Sequence, residues 1–167
     1  PTQVYGLGFD FKWNMGWMHD VLSYCKEDPI HRKYHHNKMT FAMLYQYSEN
    51  FINVFSHDEV VYGKCSMVQN IGSNYFTDKL KTLRALYGFM WGWPGKKTLF
   101  MGDEFAQCNE WDYHKQIDWY LLKDKNHDGV RQLISDLNKL YISNTFWHTY
   151  DMRGDGFCWI NPNDCDN

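Results

Sequence analysis

Apolar positions in this chain fall into short compact runs and longer spaced stripes, and the two kinds alternate along the sequence. Residues 4 to 11 (Val-Tyr-Gly-Leu-Gly-Phe-Asp-Phe) read as a short strand ending at Lys12-Trp13-Asn14, followed by a helix from Trp17 to Lys26 that stops before Asp28-Pro29. The segment His31 to Lys38 is polar and reads as a loop or a helix entry, whereas Thr40 to Tyr47 is apolar enough to pack on a neighbour. Asn50 to Phe55 is a compact apolar strand bounded by Ser56-His57-Asp58-Glu59. The clearest helix begins near Ser73 to Thr77 and carries Phe76, Leu80, Leu83, Tyr87, Met90 and Trp91 at helical spacing, up to the stop at Trp93-Pro94-Gly95. A third short strand, Lys97 to Met101, runs into Gly102-Asp103-Glu104-Phe105. After the loop around Trp111 and Trp119, a helix capped by Asp128 is expected to place Val130, Leu133, Ile134, Leu137, Leu140 and Tyr141 on one side.

The resulting order is β-α-β-α-β-α. Apolar strands separated by helices point to an α/β protein with a parallel sheet, and polar clusters placed just after strands are what a (β/α)-barrel displays at its C-terminal rim. Three such units are less than half of a barrel, which takes about 250 residues. Gly156 to Ile160 reads as the first strand of a different unit.

Composition narrows the class. The chain has 167 residues, 44% of them hydrophobic and 22% charged, which is a globular balance. Its net charge of -3 leaves no basic face for phosphate contacts, so nucleic acid is not an expected partner. No apolar run approaches the roughly 20 residues that cross a bilayer, and no membrane association is expected. Five cysteines, at 25, 65, 108, 158 and 165, contain no C-x-x-C pair and read as reduced thiols of a cytoplasmic protein. Aromatic residues reach 19%, an excess that suits either core packing or stacking on sugar rings.

Ser56-His57-Asp58-Glu59 is the sharpest polar cluster, because it follows a buried strand directly. Taken alone, such a His-Asp pair is more often a loop anchor or a helix cap than a site. Three consecutive side chains do not line up as nucleophile, base and orienter, so a Ser-His-Asp hydrolase is a poor fit. His31 and His35 share the i, i+4 spacing of a metal pair, but no glutamate follows the first and no third ligand is evident. Neither Gly6-Leu7-Gly8 nor Gly92-Trp93-Pro94-Gly95 matches a phosphate-cradling pattern. Trp13, Trp17, Trp111 and Trp119 stand out as loop aromatics available to a ligand.

Taken together, Gly-Leu-Gly-Phe-Asp-Phe-Lys-Trp-Asn-Met-Gly-Trp-Met-His-Asp (6 to 20), Tyr34-His35-His36-Asn37-Lys38, Ser56-His57-Asp58-Glu59-Val60, Leu83-Arg84-Ala85-Leu86-Tyr87-Gly88 and the run from Gly95 to Phe105 resemble the glycogen and starch branching enzymes of the α-amylase-like family. The likeness is collinear over about residues 5 to 160. It implies a retaining double displacement on an α-1,4-glucan, with rejoining of the cut segment through an α-1,6 bond. By that resemblance Asp58 is the carboxylate that steadies the donor sugar's hydroxyls in the transition state, and His57 donates a hydrogen bond to the same sugar. The nucleophile and the general acid are implied to lie on preceding barrel strands, so this fragment alone is expected to be inactive. Trp13, Asn14, His35, His36 and Trp111 are the implied lining of the acceptor groove. Residues 1–148 would then be the last three βα units of a (β/α)8 TIM barrel, and 149–167 the start of a C-terminal β-sandwich domain. The resemblance implies no cofactor and no metal. Its partners are α-1,4-glucan donor and acceptor chains.

Two departures stand out. Tyr5-Gly6 replaces a usual pair of glycines before Leu7, and Asp103 stands where an amide is more usual. Two competing readings remain: a glucan-binding scaffold without turnover, preferred if the preceding strands lack their aspartate and glutamate, and a hydrolase of the same clan, preferred if reducing ends rise without new branches.

Overall fold

Three parallel strands in the order β1-β2-β3 form the sheet of the computed structural model, which describes residues 4–164. They are β1 (Lys12–Trp13), β2 (Phe51–Phe55) and β3 (Lys96–Leu99). Helices α1 (Met15–Lys26), α2 (Asn37–Thr40), α3 (Phe76–Gly92), α4 (Lys125–Ser143) and α5 (Phe146–Thr149) alternate with short 3-10 turns. The expected alternation of strand and helix is present as a mixed α/β chain.

β2 is central. It pairs through Lys12↔Phe51 and Trp13↔Ile52 on one side and through Ile52↔Lys96 to Phe55↔Leu99 on the other. β1 therefore reaches only the first two positions of β2. The strand expected over residues 4 to 11 is not formed: Tyr5, Leu7 and Phe9 are exposed, and the ladder begins with the Lys12 amide donating to the Asn50 carbonyl. Apolar alternation in that stretch suits a strand, but β1 is the sheet edge, and a strand needs a partner for its backbone groups.

Helix α1 starts because the Asn14 side-chain oxygen accepts the Trp17 amide at 3.1 Å, and it stops where Glu27 turns extended ahead of Asp28-Pro29. It buries Trp17, Met18, Val21 and Cys25. Trp17 stacks on Phe89 near the end of α3, while at the other end of α1 the Cys25 carbonyl accepts the Gly72 amide and the Arg32 guanidinium. Arg32 also reaches Thr82 in the middle of α3, so α1 lies antiparallel to α3. The return to β2 is made by α2 and its flanking 3-10 turns, in the region read as a loop or helix entry.

Helix α3 matches its expected face except at Phe76, which is exposed on the first turn. Helix α4 is capped by Asp124, whose carboxylate accepts the Asn126 amide at 2.7 Å, and not by Asp128. The reason is backbone conformation: Asp124 is extended, as a cap must be, while Asp128 lies in the first turn and pairs with Arg131. β3 ends at Leu99, two residues short of the expected Met101, because the chain turns at Gly102 with φ of 92°. Residues 156 to 160 form no strand. A 3-10 turn at Gly154–Gly156 leads into Phe157 and Trp159, which pack on Trp93. Cys25, Cys65, Cys108 and Cys158 are free thiols, and Cys165 lies outside the described residues.

A buried polar network sits where the strands begin. Gln46 accepts from Asn14 Nδ2 at 3.2 Å and from Trp93 Nε1 at 2.8 Å, and donates to the Pro94 carbonyl, which Asn53 also reaches. Beside it the Asp151 carboxylate pairs with Lys96 at 3.0 Å and Lys97 at 3.6 Å and accepts the Tyr141 hydroxyl. Burial lowers the Lys97 ammonium pKa to about 8 against the pull of Asp151.

Candidate functional site

The opposite end of the sheet carries the His57-Asp58 pair. Phe55 closes β2 with its ring stacked on Trp17, so the next residues emerge from a rigid, buried base. Ser56 then caps a 3-10 turn over His57–Glu59: its hydroxyl accepts the Asp58 amide, and Glu59 reaches back to both the amide and the hydroxyl of Ser56 at 2.7 and 2.8 Å. The capping is done by Ser56 and Glu59, not by the His57-Asp58 pair. His57 and Asp58 are left to face outward, 3.2 Å apart between Nε2 and Oδ1, with side chains 49% and 50% exposed. Lys64 ties the Asp58 carbonyl from the following loop at 2.7 Å.

Trp111 joins this pair through Phe100. The Phe100 ring lies 5.9 Å from that of His57 and 5.1 Å from that of Trp111, in an edge contact with the latter. The Trp111 amide donates to the Val60 carbonyl at 3.0 Å, which holds the loops after β2 and β3 against each other. An imidazole, a carboxylate and an indole therefore border one polar, partly aromatic surface, the chemistry that grips a sugar by its hydroxyls and its apolar face.

The other expected site residues lie elsewhere. Trp13 is half exposed but aligned with Ile52, three residues before the end of β2 and roughly 10 Å back along the strand. Asn14 is only 1% exposed, and its side-chain amide is engaged by the α1 cap and by Gln46. His35 faces Glu27 at 3.8 Å, and His36 donates to the Pro162 carbonyl at 2.8 Å. Trp17, expected to meet a ligand, is fully buried, because the first turn of α1 points it inward between Phe55 and Phe89. Trp119 is half exposed on a 3-10 turn and rests on Phe105.

In the loop after β3, Asp103 is buried and one of its carboxylate oxygens has no partner. Burial first, then the neighbouring Glu104 and Glu59 carboxylates, hold its pKa well above the ordinary 3.8. Three residues that shape the site carry weak sequence signals or none. Glu59 is readable from the Ser-x-x-Glu spacing, whereas Phe100 and Glu110 are placed only by the packing of two distant loops. Among the described residues no group of three or more His, Cys, Asp and Glu side chains is arranged to hold a metal ion.

No family model matches the chain. Among named proteins, the 1,4-alpha-glucan branching enzyme GlgB 1 of Rhizobium etli is 53% identical over all 167 residues, which make up 23% of that enzyme. The branching enzymes GlgB of Roseobacter denitrificans and Paramagnetospirillum magneticum are each 53% identical over 99% and 100% of the chain, covering 23% and 22% of their own length. Over its whole length, this chain is homologous to 1,4-alpha-glucan branching enzymes. It spans less than a quarter of the curated relatives that it matches. The matched span includes both rim loops, so His57, Asp58, Phe100 and Trp111 all lie within the branching-enzyme homology. No helix of the described residues is long and apolar enough to cross a membrane.

Proposed function

We propose that this chain is the later part of the catalytic (β/α)8 barrel of a cytoplasmic branching enzyme. Residues 1–148 supply its last three βα units, and 149–167 begin a C-terminal β-sandwich domain. The observation that carries the reading is the identity of 53% with branching enzymes over the entire chain, combined with a His57-Asp58 pair presented at the end of a buried parallel strand. The parallel order of the three strands, with β1 at the edge of the sheet among the described residues, supports a sheet that further strands continue.

In this reading an α-1,4-glucan is cut by retaining double displacement. An aspartate and a glutamate on earlier strands attack the anomeric carbon and protonate the leaving oxygen. Asp58 accepts hydrogen bonds from ring hydroxyls of the same glucose unit, and its charge favours the oxocarbenium-like state as positive charge grows. His57, held 3.2 Å from Asp58, donates to that sugar, and the pair keeps the imidazole turned toward it. The Ser56-Glu59 capping box fixes the backbone from which both side chains project, so their orientation is set before substrate arrives. Branching follows when the 6-hydroxyl of a second glucan intercepts the glucosyl intermediate ahead of water. Trp111, packed on Phe100 beside His57, offers an aromatic face for that acceptor, with Trp13, His35 and His36 at more distant sugars.

Asp58→Asn in the full-length polypeptide tests the assignment. Branch-linkage formation is expected to fall at least about 100-fold, or about 2.7 kcal/mol on the barrier. A loss smaller than about threefold removes Asp58 from transition-state stabilisation. Reducing ends that accumulate from the parent enzyme without α-1,6 branches identify a hydrolase.

A further inference from the structure

The loop after Asp58 is held in a backbone conformation that its residues do not adopt on their own. Tyr62 at φ 59° and Cys65 at φ 63° are left-handed, on either side of Gly63 at φ 79°. Side chains other than glycine stay in that region only where their surroundings impose it, and such positions gather at ligand-contacting sites. Here the imposing group is Glu110 of the neighbouring loop. One of its carboxylate oxygens accepts the Gly63 amide at 2.8 Å and the other the Cys65 amide at 3.0 Å. At the base of the loop Val60 and Val61 are buried, and Lys64 returns to the Asp58 carbonyl. At its tip Tyr62 stands 92% exposed. The clamp thus fixes a loop four residues beyond Asp58 and presents a bare aromatic ring to solvent, where the ring contributes nothing to the core.

We propose that Tyr62 is a stacking platform for a glucose unit next to the one gripped by Asp58, and that Glu110 is the positioning residue that holds it there. The proposal rests on the branching reading. A tyrosine face matches the apolar face of a glucose ring, and a preset loop avoids ordering it at binding.

Isothermal titration of the full-length polypeptide with maltoheptaose tests this apart from turnover. Tyr62→Ala is expected to weaken binding about tenfold, Tyr62→Phe less than twofold. Tyr62→Gly relieves the left-handed strain, so its melting temperature should equal or exceed the parent's while its affinity falls with that of Tyr62→Ala; this separates loss of the ring from loss of the fold. Glu110→Gln keeps only one acceptor oxygen and should weaken binding about threefold in the parent, but not further in the Tyr62→Ala background. Unchanged affinity in Tyr62→Ala, or a parent that does not bind maltoheptaose, overturns the platform. A further loss on adding Glu110→Gln to Tyr62→Ala overturns the positioning role. A parent that binds the oligosaccharide with the expected Tyr62 dependence but forms no α-1,6 bonds leaves the platform standing and fails the branching reading instead.

Discussion

Where β2 and β3 begin, polar side chains are buried and joined to one another: Gln46 links Asn14, Trp93 and Pro94, and Asp151 gathers Lys96, Lys97 and Tyr141. Where the same strands end, His57 and Asp58 stand half in solvent, Tyr62, Cys65 and Ala106 are left-handed, and the Asp103 carboxyl is buried beside the Glu59 and Glu104 carboxylates. The first end is arranged for cohesion and the second holds features that oppose it. Exposed ion pairs contribute little to stability, whereas breaking a buried one leaves an uncompensated charge. Substitutions at the two ends should therefore divide cleanly between stability and function.

Asp151→Asn should give the largest loss of stability. It removes the counter-charge of Lys97, whose side chain is only 7% exposed, and should cost about 3 kcal/mol in denaturant unfolding of the full-length polypeptide. Gln46→Ala comes next, at about 2 kcal/mol, since it strands the Trp93 and Asn14 donors in the interior. Asp103→Asn should act in the opposite direction and raise stability at pH 7. The sign follows from its raised pKa: above pH 3.8 the unfolded chain has released a proton that the folded chain still holds, so folding weakens as pH rises. The gain from the amide should accordingly shrink as pH falls toward 4, and a gain that is flat with pH would contradict the assignment. Asp58→Asn should change stability least, by under about 0.5 kcal/mol, while abolishing most activity. An Asp58→Asn variant as unstable as Asp151→Asn would erase the contrast between the two ends.

The legible parts of this fold were those decided by local pattern. The apolar run at Phe51–Phe55 and the stripe from Leu80 to Trp91 became β2 and the buried face of α3. The polar cluster after β2 was readable because a buried strand must hand its chain to a loop, and His57-Asp58 lies there. Residues 4 to 11 misled because alternation states which face is apolar and not whether a neighbour exists to pair with. Trp17 stands at the expected helix start, where its spacing alone does not say which way the ring points; the Asn14 cap starts α1 at Met15 and turns that ring into the core.

By itself, then, the sequence determined the central strand, the apolar face of α3 and the polar residues at the tip of that strand, since all of these arise between residues a few positions apart. Only the tertiary structure decided that Trp111 joins His57 through Phe100, that Glu110 clamps the Tyr62 loop and that Asn14 belongs to the interior with Gln46. The His57–Phe100, Glu110–Gly63 and Asn14–Gln46 contacts connect residues 32 to 47 positions apart, and a contact across such a separation depends on how whole elements pack, which no local spacing records.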